Sequence, residues 1–170
     1  MNLKALQKIN YGMYIVGSKK NDKLNGQVAN TVFQVTSEPC TIAVSISKKN
    51  FTHEFIAESK VFSVSVLSRE ATMPFIGQFG FKSGRDTDKF ANAKFKTGVT
   101  GAPIVLDFSI AYFDLELAAS FDCGTHTLFL GKVVDADVLQ EAQAMSYDYY
   151  HQIKGGFTPV NAPTYVKPEK

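Results

Sequence analysis

From Cys40 to Ser47 the chain alternates without a break, with Ile42, Val44 and Ile46 on one side and Ala43, Ser45 and Ser47 on the other. A period of two residues marks a strand buried on one face. Phe62, Val64 and Val66 repeat the pattern against Ser63 and Ser65. Strands of this kind suit antiparallel sheets, because strands of parallel sheets are covered on both faces and read as continuous apolar runs. Residues 110–119 and 127–137 form two longer strands around the tight segment Cys123-Gly124-Thr125 and predict a hairpin. Gly12 opens a short apolar strand over 13–16, and Asn25-Gly26 reads as a turn leading into a strand over 27–36 that Pro39 stops.

Helices are few and short. Leu3, Leu6 and Ile9 make one helical face, and Thr52 stands where an N-cap belongs, ahead of Phe55, Ile56 and Lys60 at helical spacing. No βαβ alternation occurs. The expected fold is therefore mainly β, an antiparallel barrel with a few short helices. With 170 residues, 45% of them hydrophobic, the chain has the material for one domain with a real core. The boundaries expected are a domain over 1–158 and a proline-containing tail over 159–170, which has no periodicity.

A net charge of +2 is too balanced for a dedicated nucleic-acid binder. Two cysteines cannot build a disulfide scaffold. No apolar run has membrane-spanning length, and Met1-Asn2-Leu3-Lys4 lacks the apolar core of a signal peptide, so a soluble, cytoplasmic protein is expected.

The usual phosphate and catalytic signatures are missing: no G-x-G-x-x-G after a strand, no P-loop, no H-E-x-x-H, no G-x-S-x-G. Two segments could still hold an anion. In Ser45-x-Ser47-Lys48-Lys49-Asn50-Phe51-Thr52-His53, a strand ends in hydroxyl residues, two lysines follow and a helix begins, so backbone N–H groups and the helix dipole converge. An ordinary helix start with solvated lysines explains the same residues. In the segment from Phe79 to Phe90, glycines allow close approach and Lys82, Arg85 and Lys89 can meet a phosphate or carboxylate, although a plain surface loop fits equally well.

Cys40 invites a reactive-thiol reading and Cys123-x-x-His126 a metal reading, but one Cys and one His fall short of a four-ligand site. His53 and His151 suit helix-surface or core roles. Tyr147, Tyr149 and Tyr150 can stack on a flat ring, although aromatic clusters of this kind commonly serve a core or an interface.

Taken in order, these segments resemble one family. Asn25-Gly26-x-x-Ala29-Asn30-Thr31-Val32-Phe33-Gln34-Val35-Thr36-Ser37-Glu38-Pro39, then Ile42-Ala43-Val44-Ser45-Ile46 and Lys48-x-Asn50-x-Thr52-His53, are similar to the flavin reductase-like FMN-binding split barrels. Phe79-Gly80-Phe81-x-Ser83-Gly84-Arg85-Asp86-x-Asp88-Lys89-Phe90, Gly124-Thr125-His126-Thr127-x-Phe129-x-Gly131 and Tyr147-x-Tyr149-Tyr150-His151 continue the match, which runs from about Tyr11 to Tyr165. Within the family it looks closest to the flavoredoxins and to the flavin domains of high-molecular-weight rubredoxins. No C-x-x-C occurs in the 170 residues, so electrons are expected to leave to a separate acceptor and not to an iron domain of the same chain.

The resemblance implies a split β-barrel of Greek-key type, a homodimer, and FMN as cofactor. It implies a ring site over residues 29–36, with Asn30, Thr31, Val32, Gln34 and Thr36. It implies a phosphate site at Ser45, Ser47, Lys48, Asn50, Thr52 and His53, with Phe81, Ser83 and Lys89 closing over it. A strand register shifted by one would turn Lys49 inward in place of Lys48. No catalytic residue is assigned: Cys40, His126 and His151 are candidates for a place near the flavin, with Cys40 and His126 either serving ferric reduction or simply packing. The implied activity is transfer of electrons from NAD(P)H or a small carrier to free flavin, a ferric complex or a partner such as a flavodiiron protein. The alternative is an electron-transfer or flavin-carrier module without NAD(P)H activity.

Overall fold

Short turns of two or three residues and alternating strands produce three antiparallel hairpins, two near the start of the chain and one in its second half. The computed structural model describes residues 2–167. After a 3-10 helix, Leu3–Lys8, come β1 (Tyr14–Lys20), β2 (Lys23–Ala29), β3 (Val32–Ser37) and β4 (Cys40–Ser47). Then follow α1 (Phe51–Ser59), β5 (Val61–Leu67), α2 (Met73–Gly80), the small pair β6 (Phe95–Thr97) and β7 (Pro103–Val105), the long hairpin β8 (Ser109–Asp122) and β9 (His126–Val138), and α3 (Tyr147–Gln152).

The main sheet is antiparallel, with seven strands in the order β2-β1-β5-β8-β9-β4-β3. Its two edges, β2 and β3, are consecutive in sequence and separated only by Asn30 and Thr31. Three peptide units span at most about 11 Å, so the sheet must curl until its edges approach at that end. The ladder of hydrogen bonds does not close across the gap. The expected barrel is therefore a curled, open sheet among the described residues.

Two elements differ from the sequence reading. Asn25-Gly26 is not a turn: both lie inside β2, opposite Ser18 and Gly17. The β1–β2 turn falls on Asn21-Asp22 instead, where Asn21 adopts φ 51°, a conformation that Asn tolerates. Gly26 is needed for space, since a Cβ there would stand 3.3–3.4 Å from the rings of Phe90 and Phe79. The expected strand over 27–36 is also two strands. The break at Asn30-Thr31 is where the chain crosses from one sheet edge to the other.

α2 and α3 were not expected. Thr72 caps α2, its Oγ1 accepting from the N–H of Phe75 at 3.4 Å, with a proline in the first turn. Ser146 caps α3 by accepting from the N–H of Tyr149 at 3.1 Å. Both are recognisable start signals. One apolar cluster lies under α2 and includes Met13, Ile15, Leu67, Ile76, Phe79 and Phe90. A second fills the curl of the sheet and includes Val16, Val44, Ile46, Ile56, Phe62 and Leu115. Between them they fix β2, α1 and α2 around one cleft.

Candidate flavin cleft

The cleft has room for about 510 Å³ and is walled by β2, the Ser45–Ser47 face of β4, the start of α1, the end of α2, the loop after it, α3 and residues 157–163. That volume falls within the roughly 300–1,000 Å³ of small-molecule sites. Its polar lining includes Ser45, Ser47, Lys49, Asn50, Thr52, Lys82 and Ser83. Its apolar and aromatic lining includes Ala29, Ile76, Phe79, Phe81, Tyr147, Tyr150 and Phe157.

The polar lining is built by the alternation of β4. Ile42, Val44 and Ile46 enter the core, so Ser45 and Ser47 must face the other way, into the cleft. The chain then turns into α1, whose N-cap is Asn50 and not Thr52. Asn50 makes no side-chain cap bond; its Nδ2 donates to Gln27 Oε1 at 3.1 Å. The first turn of α1 therefore presents N–H groups with no side-chain acceptor along a wall of the cleft. Thr52 is buried there, and its Oγ1 accepts from Asn25 Nδ2 at 2.9 Å.

Lys48 and Lys49 part company at this point. The Lys48 ammonium lies 2.6 Å from Asp122 Oδ1 at the tip of the β8–β9 hairpin, and its N–H donates to Thr125 O at 3.0 Å. Lys49 lines the cleft. The inward lysine is the second of the pair, because Ser47 already occupies the inward position and its neighbour points outward.

The other sequence candidates divide as follows. Asn30, Ser45, Ser47, Asn50, Thr52, Phe81, Ser83 and Lys89 all line the cleft. Lys89 is buried, and its Nζ donates to Gly26 O at 2.9 Å and Phe79 O at 3.0 Å. With no carboxylate among those partners, burial pushes its pKa down to about 8. Val32, Gln34 and Thr36 sit on the edge strand β3 outside the lining, and Thr31 contributes its hydroxyl to Asn30 Oδ1 at 3.1 Å. His53 Nε2 pairs with Thr127 Oγ1 at 2.8 Å and its ring packs on Phe129; burial first, and then Lys48, lower its pKa. Cys40 opens β4 opposite Ser37, away from the lining. His126 and His151 touch the C-terminal segment instead. His126 Nε2 lies 3.2 Å from Asn161 O, and His151 Nδ1 lies 2.9 Å from Gly156 O.

That segment is a wall and not a tail. Phe157 stacks on Phe81 with ring centroids 4.5 Å apart and an interplanar angle of 5°. Tyr147 Oη meets Thr158 Oγ1 at 2.7 Å, and Asn30 Nδ2 donates to Thr164 Oγ1 at 2.7 Å. Sequence reading missed Gln27, Phe157 and residues 159–161 as parts of the site, and it placed Asn25 and Phe79 in matching segments without giving either a role. Only the packing of distant segments brings them there. No group of three His, Cys, Asp or Glu side chains among the described residues is placed to hold a metal.

An apolar slot opening on a cluster of hydroxyl, ammonium and helix N–H donors suits a planar ring that ends in an anion. Comparison with known proteins agrees. The Flavin reductase like domain matches residues 6–156. A high molecular weight rubredoxin of Moorella thermoacetica is 53% identical over 166 residues, covering 98% of this chain and 72% of that one. A ferric-chelate reductase (NAD(P)H) of Archaeoglobus fulgidus is 47% identical over 167 residues, covering 98% and 99%. The crystal structure of an FMN-binding protein from Thermus thermophilus superposes with a TM-score of 0.72 at 28% identity, over 79% of this chain and 74% of that one. The chain belongs to the flavin reductase like family and is an oxidoreductase.

Proposed function

We propose that the cleft holds FMN and that the protein passes electrons from NAD(P)H or a small reduced carrier to a ferric chelate, a free flavin or a redox partner. The observation that carries this reading is the donor set in the lining of a largely apolar cleft. Ser45, Ser47, Lys49 and Thr52 supply hydroxyls and one cation for a phosphate, beside the first turn of α1. Phe81, Tyr147 and Phe157 offer aromatic surface and exclude water from a ring. Gly80 and Gly84 keep the backbone close to whatever lies there. When bound, FMN supplies the hydride and electron chemistry. The chain's own groups bind, orient and shield, and the donor set demands no proton-abstracting residue.

A ferric chelate as acceptor is supported by the 47% identity to the Archaeoglobus fulgidus reductase over nearly the full length of both chains. The similarity to a rubredoxin-named protein favours a second reading, an electron-transfer module that does not itself oxidise NAD(P)H. We place the protein in the cytoplasm; no helix among the described residues is long and apolar enough to cross a membrane. A homodimer completes the proposal. Phe33 and Val35 on β3 stay 49% and 46% exposed, and Phe33 shares its face of the sheet with Ala43, next to Ser45 along β4, so a second copy is a natural cover for them.

The test is anaerobic addition of NADH, then NADPH, to the yellow protein while absorbance near 450 nm, roughly that of any oxidised flavin, is followed. Rapid bleaching that a ferric chelate reverses supports the reductase. Persistent colour with both nucleotides supports the carrier.

A further inference from the structure

Asn25 is 2% exposed and Thr52 is 1% exposed, yet both border the cleft. Their hydrogen bond has a direction: Asn25 Nδ2 donates and Thr52 Oγ1 accepts, at 2.9 Å. A hydroxyl carries one proton and two lone pairs. With a lone pair taken by the amide, the Thr52 proton is free to be given to a group in the cleft.

Gly84 makes room for the amide. Asn25 Oδ1 packs so closely on Gly84 that a Cβ there would collide with it. If the amide were reversed, Thr52 would face an acceptor. The hydroxyl would then spend its proton on Asn25, turning a lone pair toward the cleft and repelling an anion. The asparagine, seated against the glycine, therefore sets the polarity of the threonine.

We infer that Asn25 is a positioning residue for Thr52, holding its hydroxyl as a donor to the phosphate of the flavin and so favouring phosphorylated flavin over riboflavin. The inference rests on the FMN reading above and adds a residue that does not itself have to touch the ligand.

Titration of the flavin-free protein with FMN and with riboflavin, read by flavin fluorescence, tests it. Asn25→Ala is expected to lower FMN affinity about tenfold, the loss of one charge-assisted donor, and leave riboflavin affinity unchanged. The near-isosteric Asn25→Asp, which offers Thr52 an acceptor, should lose more. Gly84→Ala should shift the same FMN-to-riboflavin ratio by displacing the amide. Asn25→Ala placed on Thr52→Val should cost nothing beyond Thr52→Val alone, because the two act through one hydroxyl. Additive losses in that double variant would overturn the inference, as would equal losses for both flavins in Asn25→Ala and Asn25→Asp alike. An unchanged ratio in those variants, with Thr52→Val still selective against FMN, would overturn it too. A native protein that binds riboflavin as tightly as FMN would instead defeat the phosphate reading on which the inference stands.

Discussion

Lys48 Nζ lies 2.6 Å from Asp122 Oδ1, and this ion pair draws Lys48 to the hairpin tip while its neighbour Lys49 lines the cleft. Both partners of the pair are exposed, so it contributes little to stability. Its consequence is geometric. Lys49→Ala is expected to weaken FMN binding about tenfold and spare riboflavin, whereas Lys48→Ala should change neither by more than about threefold. Parallel titrations of the two variants decide between the lysines.

Phe157 belongs to the aromatic lining of the cleft. Its ring stacks on Phe81 and carries the C-terminal segment across the opening. Phe157→Ala removes aromatic surface that has no preference for phosphate. FMN and riboflavin affinities should therefore fall together, by about tenfold, the equivalent of one aromatic contact. A loss confined to FMN would show that the ring end is wrongly placed.

Lys89 makes stability depend on pH. Its folded pKa is about 8 against an ordinary 10.5, so between these values the unfolded chain binds the extra proton and stability rises with pH. The penalty is fully present below pH 8 and gone above about 10.5. Gly26 O and Phe79 O keep their donors throughout, since a neutral amine still has two protons. Urea unfolding of the flavin-free protein at pH 7.5 and pH 10 should show the native chain gaining up to about 3 kcal/mol relative to Lys89→Met. Parallel pH profiles for the two proteins would contradict the assignment.

Asp114 is fully buried and accepts from Thr100 N at 2.9 Å and Thr100 Oγ1 at 2.6 Å, pinning the turn between β6 and β7. Asp114→Ala leaves both donors unpaired and is expected to cost about 2–3 kcal/mol in urea unfolding. The cleft lies elsewhere, so FMN affinity of the folded fraction should hold.

The parts legible in the sequence are those where one local pattern decides the structure. The β4 alternation predicted both the strand and the inward face of Ser45 and Ser47, because a pleated strand leaves no other choice. The β8–β9 hairpin followed from Cys123-Gly124-Thr125, where Gly124 takes φ 78°. Asn25-Gly26 misled because its turn propensity is overridden by tertiary contacts. Asn25 is engaged with Thr52, and Gly26 makes room for Phe79 and Phe90. Thr52 was expected as the helix cap for a similar reason: a buried hydroxyl and a capping hydroxyl look alike in sequence. The wall made by residues 157–163 has no periodicity to read, since its position comes from Phe81, Asn30 and Tyr147, all distant in the chain. Thr72 with Pro74 was a readable start for α2 that the strand pattern overshadowed.

The central claim is that FMN lies in this cleft with its phosphate at the Ser45, Ser47, Lys49 and Thr52 end. A crystal structure of the protein with FMN tests it most directly. The account predicts phosphate oxygens within hydrogen-bond reach, about 2.7–3.2 Å, of Lys49 Nζ and Thr52 Oγ1, with the ring on the side of Phe81 and Phe157. A phosphate seated beside Lys48 and Asp122, or a flavin held outside the cleft, would contradict it.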